Sequence, residues 1–173
     1  MKKWLPVCLC LLLLLSACGK SPNPIRELEP KEVDPPLAGV ANPWTDHDTL
    51  EAAEKAVGFE LSAPDMIEGY DAPVYRTLSG TMLEILYPGE NGEVRIRKQS
   101  ATSAVGNDIS GDYNEYEEYA AIVAAGENAS VTVSGSGGAA SKAIWTADGY
   151  AYSVTVDPAM DVVTMSDLIA QVN

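Results

Sequence analysis

Five carboxylates and three tyrosines lie within twelve residues, DISGDYNEYEEY, at 108–119, which we call the acidic stretch. Clustered carboxylates bind calcium, and an EF-hand loop places oxygen ligands at positions 1, 3 and 5, glycine at 6 and glutamate at 12. A loop starting at Asp108 has glycine at position 4 and Tyr119 at position 12, and one starting at Asp112 has Glu117 at position 6. Neither register fits, so we predict no metal site and interpret the stretch as beginning with a type I turn. A cation site is the alternative.

The second half of the acidic stretch has the pattern of a short helical turn. Asp112 and Glu115 are spaced as a capping pair. Tyr113, Tyr116 and Tyr119 recur at every third residue, which would place their rings near one side of that turn. We predict that these rings lean on a neighbouring sheet at the rim of its core. The alternative is an interaction surface, because tyrosine joins an apolar ring to a polar tip and stacks on sugars or partner proteins.

Catalytic chemistry has little support among the other residues. His47 is the only histidine, and it stands between Asp46 and Asp48, where a helix is predicted to begin. Zinc sites usually recruit at least three protein ligands, so a single histidine does not indicate one. No G-x-S-x-G motif marks a serine nucleophile either. We therefore predict no catalytic residue, no cofactor and no enzymatic activity. Paired carboxylates of the glycoside-hydrolase kind are the alternative, since 21 of the 25 acidic residues fall within 44–173.

Arg95, Arg97 and Lys98 form the one basic cluster of an acidic domain. In a hairpin, Glu84 and Glu93 are placed to pair with the arginine side chains. We predict this pairing. The alternative is that Arg95 and Arg97 receive an anionic partner, such as a cell-wall polymer, on an interaction surface.

The chain begins with the layout of an export signal. Two lysines precede an apolar run, Trp4–Leu15, whose 12 residues fall short of the roughly 20 that span a membrane. The run is followed by Leu-Ser-Ala-Cys, which resembles a bacterial lipobox. The resemblance implies that residues 1–17 are removed and that Cys18 carries a diacylglyceryl group. We therefore expect a lipoprotein held by acyl chains such as palmitate on the extracytoplasmic face of the cell membrane. A plain secretory signal is the alternative.

Residues 18–43 have the composition of a tether, and residues 44–173 that of a single domain. The tether holds six prolines and shows no apolar periodicity. The 130 residues that follow are close to the commonest domain size. After residue 17 the chain has 9 basic and 25 acidic residues. The excess of negative charge would repel nucleic acid and anionic lipid surfaces, so we expect neither as a partner. We also expect a monomer.

Apolar residues at helical spacing occur near both ends of the domain. The first set begins after Asp48, which we predict to form an N-terminal capping pair with Glu51. It ends at Gly58, and glycine is typical of a helix C-cap. The second set lies within 165–172. Both predict short helices.

Between the helices, alternating apolar and polar residues predict strands. The turn at 88–92 separates two such runs, and Asp148-Gly149 is among the strongest hairpin signals known. The segment GSGGAA, 135–140, lacks the Gly-Lys-Ser/Thr ending of a phosphate loop and is interpreted as a hairpin connection. We predict an α+β domain, with an antiparallel sheet of about 6–8 strands built from hairpins and a helix from each end packed on it.

Several segments together resemble a known family. They are NPW at 42–44, AVGFELSAPDMIEGY at 56–70, DISGDYNEY at 108–116, VTVSG at 131–135 and AIWTADGYAYSV at 143–154. They resemble an uncharacterised domain family of exported lipoproteins and anti-sigma-factor-like proteins of Gram-positive bacteria. The resemblance implies an extracytoplasmic α+β domain with a sensing or binding role, and it carries over no catalytic residue.

Three functions are consistent with these observations. The first is a lipid-anchored binding or envelope-sensing module that uses a sheet face and the acidic stretch, with an envelope protein or wall polymer as its partner. The second is a wall-active hydrolase that uses two carboxylates. The third is a structural spacer or surface lipoprotein without a small ligand.

Overall fold

A computed structural model of the chain describes residues 42–104, 106, 108–119 and 130–173. The predicted signal, Cys18 and nearly all of the tether lie outside these residues. The described chain forms eight strands and two helices: β1 Trp44–His47, α1 Leu50–Val57, β2 Val74–Leu78, β3 Met82–Gly89, β4 Gly92–Ser100, β5 Glu117–Tyr119, β6 Thr132–Ser136, β7 Ala139–Ala147, β8 Tyr150–Asp161 and α2 Val162–Ile169. No helix in this part of the chain is long and apolar enough to cross a membrane.

All eight strands belong to one antiparallel sheet with the order β1-β2-β3-β4-β8-β7-β6-β5. The first four strands and the last four each pair in chain order, and the two halves join where β4 pairs with β8, for example at Ile96 opposite Val154. The predicted antiparallel sheet and the two helices are therefore present, and the sheet makes up most of the domain.

Both helices pack against one face of the sheet, which we call the core face. Alternate residues of the central strands point to it, because successive side chains of a strand face opposite ways. Ala53 of α1 and Met165 and Ile169 of α2 are fully buried there. The sheet contributes these buried residues: Leu83, Ile85, Tyr87, Val94, Ile96, Val133, Ala143, Trp145, Tyr152, Val154 and Val156.

The first helix is capped one residue later than predicted. Thr49, not Asp48, is the N-cap, and its hydroxyl accepts a hydrogen bond of 3.2 Å from the backbone N–H of Ala52. The predicted pair of Asp48 and Glu51 is therefore wrong. Gly58 is the C-cap as predicted, with a φ of 82° that only glycine adopts at little cost.

The predicted tight turns are confirmed. Asp148 and Gly149 both have positive φ, 50° and 82°, as a two-residue type I′ turn requires, and they join β7 to β8. The glycine-rich segment likewise joins β6 to β7. Position 135 requires glycine, since a Cβ atom there would lie 1.9 Å from the carbonyl oxygen of Ala139.

Lys98 does not belong to the cluster predicted for it. It follows Arg97 on β4, so it points to the core face while the arginines point away. Its ammonium donates a 2.7 Å hydrogen bond to the carbonyl oxygen of Glu60. The same group lies 4.7 Å and 5.1 Å from the ring centroids of Tyr150 and Tyr152. Burial lowers the pKa of Lys98, against the opposing influence of nearby carboxylates.

Candidate binding site

The face of the sheet away from the helices, which we call the polar face, carries a row of charged side chains. Arg76 on β2 stands opposite Glu84 on β3, and Glu84 stands opposite Arg97 on β4. Glu84 is fully buried, and its Oε2 accepts a 2.6 Å hydrogen bond from Nε of Arg97. Its Oε1 accepts from Nε of Arg76. A buried carboxylate is costly unless it is paired in this way.

Trp44 of β1 covers these charges. Its ring lies 4.9 Å from the guanidinium carbon of Arg76 and 5.3 Å from that of Arg97. Such contacts favour a cation over an aromatic face. The predicted pairing of Glu84 with an arginine is confirmed, and Glu93 also forms an ion pair with Arg95.

The acidic stretch does not form the predicted helical turn. Residues 111–116 have no regular secondary structure. Asp108 Oδ1 accepts from the backbone N–H of Ser110 at 2.9 Å, Ser110 Oγ from that of Asp112 at 3.1 Å, and Asp112 Oδ1 from that of Asn114 at 3.0 Å. Each side chain bonds to the backbone two residues onward, and these local bonds replace the helical ones.

The irregular part of the acidic stretch, residues 108–116, lies across the polar face, and the side chains of Arg97 and Lys142 hold it there. Nη1 of Arg97 donates to the carbonyl oxygens of Ile109, at 3.0 Å, and Ser110. Nζ of Lys142 donates to Asp108 Oδ2 and to the carbonyl oxygen of Asp112, both at 3.1 Å. Ile109 itself is buried in a small apolar cluster. The position of the stretch therefore depends on side chains from β4 and β7.

The three tyrosines are not grouped on one side of a helical turn. Tyr113 is 94% exposed, so the prediction that its ring leans on the sheet is wrong. Tyr116 is half-buried, and its hydroxyl donates a 3.0 Å hydrogen bond to Asp112 Oδ2. Tyr119 ends β5, and its side chain lies outside the described part of the chain.

A cavity of about 350 Å³ lies between the acidic stretch and the sheet, and we call it the first cavity. Strands β4 and β8 contribute Arg95 and Thr155 to its lining, and the acidic stretch contributes Asp112, Asn114 and Tyr116. The structure thus brings Arg95 and Tyr116 together, whereas Arg97 lies buried and Tyr113 points to solvent.

An irregularity in the sheet accompanies this cavity. Ala140 pairs with Met160 and Lys142 pairs with Thr155, so the single residue Ser141 faces the four residues 156–159. Ser141 and Asp157 line the cavity. Sequence reasoning missed these residues, although Pro158 inside a strand pattern was a usable signal, because proline within a sheet marks a bulge or an edge.

Arg95 has hydrogen-bonding capacity that the described residues do not satisfy. Its Nε is buried without a hydrogen-bond partner, while Nη2 pairs with the carboxylate of Glu93. Burial lowers the pKa of Arg95, and neighbouring Arg97 adds to this effect. The side chain as a whole is 28% exposed. An unpaired buried donor costs about 1–3 kcal/mol.

His47 lies apart from the first cavity. Its Nε2 shares a 3.0 Å hydrogen bond with the hydroxyl of Thr77. Within the described ranges, no group of three or more His, Cys, Asp or Glu side chains is arranged to hold a metal ion. No protein-family model, curated protein or solved structure matches the chain.

Proposed function

We propose that this protein is an exported, lipid-anchored binding module whose first cavity holds a neutral, polyhydroxylated ligand, namely a carbohydrate segment of the cell envelope. The observation that carries the proposal is the lining of that cavity. One guanidinium, that of Arg95, stands among three carboxylates, those of Glu93, Asp112 and Asp157.

This lining suits sugar hydroxyls better than it suits phosphate. A hydroxyl group both donates and accepts, so it can bond to a carboxylate and to a guanidinium at once. Phosphate only accepts at its charged oxygens and would face a cavity in which carboxylates outnumber cations. The ring of Tyr116 adds an amphipathic surface on which a sugar can stack.

The proposed location at the membrane and the proposal of a lipoprotein rest on the N-terminal sequence. The apolar run, the Leu-Ser-Ala-Cys motif and the proline-rich residues 18–43 support a lipid anchor followed by a spacer. The resemblance to extracytoplasmic lipoprotein domains supports the same location. A wall glycan would then be within reach of the domain.

A second candidate function is glycoside hydrolysis. The same three carboxylates favour it, because such enzymes use a pair of carboxyl groups on either side of the scissile bond. Chromatography of N-acetylglucosamine oligomers after incubation with the protein separates the two functions. Shortened oligomers would establish hydrolysis, and unchanged oligomers that still bind would establish binding alone.

Calorimetric titration with N-acetylglucosamine tests the binding proposal. The full chain is purified in a detergent without a sugar headgroup, so that the detergent cannot compete. We expect saturable binding that Arg95→Gln weakens about tenfold, as the loss of a charged donor predicts. The matched control is Lys55→Gln, an exposed residue on α1 outside the cavity, which should bind as the wild type does. No binding by the wild type, or equal losses in both variants, would overturn the proposal.

A further inference from the structure

A groove of about 200 Å³ borders helix α2, and we call it the α2 groove. One wall is the side of α2 that carries Thr164, Asp167 and Leu168, which are neighbours on a helix because they stand three and four residues apart. The other wall is segment 64–68, which precedes β2. Pockets for whole small molecules usually enclose about 300–1,000 Å³. The α2 groove is smaller, so it suits single apolar side chains of a larger partner.

Contacts with the body of the domain hold both walls of the α2 groove. Leu168 is buried against the core. On the other side, the hydroxyl of buried Tyr87 donates a 2.5 Å hydrogen bond to the carbonyl oxygen of Pro64. Ser62 and Asn173 exchange two backbone hydrogen bonds, of 3.0 Å and 3.3 Å, which tie the start of segment 64–68 to the chain after α2. The groove is therefore formed before a partner arrives, which lowers the cost of binding.

Methionine side chains form much of the apolar surface of the α2 groove. Met66 is 73% exposed, and Met160, at the end of β8, and Ile67 lie beside it in the lining. Methionine is unbranched and polarisable, so it adapts its shape to different apolar partners and is common on protein-binding surfaces. An apolar side chain that enters the groove would remove Met66 from water.

The rim of the α2 groove is acidic. Glu68 and Asp167 are both exposed, and one stands on each wall. No lysine, arginine or histidine occurs among the described residues that line the groove. The ion pairs found in the described part of the chain involve neither carboxylate. Two unpaired carboxylates beside an apolar surface attract a cationic partner and repel an anionic lipid surface.

We infer that the α2 groove is a docking site for a basic amphipathic segment of another protein. Apolar side chains of that segment enter beside Met66, and its lysine or arginine side chains meet Glu68 and Asp167. Recognition of this kind, in which one face of a helix lies in a groove, is common among peptide-binding proteins. The inference does not rest on the first cavity, which none of these residues lines.

A synthetic peptide tests the inference. The probe is a fluorescently labelled lysine-rich peptide with two leucines four residues apart, which places them on one face of a helix. The full chain is reconstituted in nanodiscs of phosphatidylcholine, so that no detergent fills the groove, and fluorescence anisotropy measures binding relative to nanodiscs without protein. We expect saturable binding that Met66→Ser weakens about tenfold, because an apolar contact is lost. Tyr113→Ser, at a residue that is 94% exposed and outside the groove, should bind as the wild type does.

Two double variants test the acidic rim. Glu68→Gln combined with Asp167→Asn should weaken peptide binding about tenfold, because both carboxylates of the groove are gone. Glu115→Gln combined with Glu118→Gln removes the same number of charges at exposed positions outside the groove. This control should weaken binding by less than about twofold, because salt screens distant charges.

The remaining outcomes would overturn the inference. Equal losses in Met66→Ser and Tyr113→Ser, or in the two double variants, would show a general attraction of cationic peptides to an acidic protein. Undiminished binding of a peptide in which glutamates replace the lysines would overturn the basic partner. Absence of saturable binding by the wild type would overturn the docking site itself. Sugar binding by the first cavity is measured separately, so either proposal can fail while the other stands.

Discussion

The guanidinium of Arg97 donates a 2.6 Å hydrogen bond from Nε to Oε2 of Glu84, beneath the acidic stretch. The same guanidinium donates from Nη1 to the carbonyl oxygens of Ile109 and Ser110. One side chain therefore joins a buried carboxylate of the sheet to the loop that lines the candidate site. Changes to this connection should affect both stability and the position of the loop.

Removing the charge of Glu84 should destabilise the fold. Glu84→Gln leaves two guanidinium groups without their shared carboxylate in a buried site, so the free energy of unfolding should fall by about 3 kcal/mol or more. Urea denaturation measures this, and Glu68→Gln, at an exposed position, should change it by less than about 0.5 kcal/mol. Equal stability of the two variants would contradict the role assigned to Glu84.

A side chain at Gly111 should displace the acidic stretch. Gly111 has a φ of 67°, and a Cβ atom there would lie 2.6 Å from Nη1 of Arg97. Gly137 has a similar φ of 63°, but nothing lies within 4 Å of its Cβ position. Both alanine variants carry backbone strain, so the additional loss of about 1–2 kcal/mol in Gly111→Ala measures the disturbed contact. Matching unfolding curves for the two variants would show that Arg97 moves aside freely.

Asp108 should make the stability of the protein depend on pH. Burial opposes ionisation of its carboxyl group, but hydrogen bonds from Ser110 and Lys142 outweigh burial and hold the pKa of Asp108 below its ordinary value. A carboxylate whose pKa is depressed in the folded state contributes stability above its unfolded pKa, about 3.9, and loses it as the pH falls through the folded pKa.

The Asp108→Asn variant should therefore lose less stability than the wild type as the pH falls below about 5. Urea denaturation at a series of pH values measures the difference. Lys142→Met removes one of the hydrogen-bond donors, so it should flatten the same part of the curve to a smaller extent. Parallel curves for the wild type and Asp108→Asn would show that the contacts of Asp108 do not favour its charged form.

Cys18 should be the site of lipid attachment. Labelled palmitate should enter the wild-type protein in cells and be absent from Cys18→Ala, because the thiol that receives the diacylglyceryl group is gone. Cys8→Ala is the matched control, since Cys8 lies inside the predicted signal and should not affect the label in the mature protein. Undiminished label in Cys18→Ala would rule out the lipobox interpretation.

Local interactions explain which parts of the fold could be predicted. The Asp148-Gly149 turn and the Gly58 cap depend on backbone conformations that only certain residues adopt easily, so they are visible in the sequence. The prediction of a helical turn after Asp112 was wrong because Asp and Ser residues suit a helix cap and also suit local hydrogen bonds that replace the helix. Hydrogen bonds from Asp and Ser side chains to nearby N–H groups, together with distant contacts from Arg97 and Lys142, hold that segment in an irregular conformation.

The sequence by itself determined the two helices and the antiparallel hairpins, because short-range periodicity encodes them. It also identified Arg95 and Tyr116 as candidates for an interaction surface, from composition. Only the tertiary structure decided that Arg95 and Tyr116 share a cavity and that the ammonium of Lys98 bonds to the carbonyl oxygen of Glu60. The reason is geometric. Strand pairing and the offset opposite Ser141 bring together residues far apart in the chain, and no local pattern specifies which of them will meet.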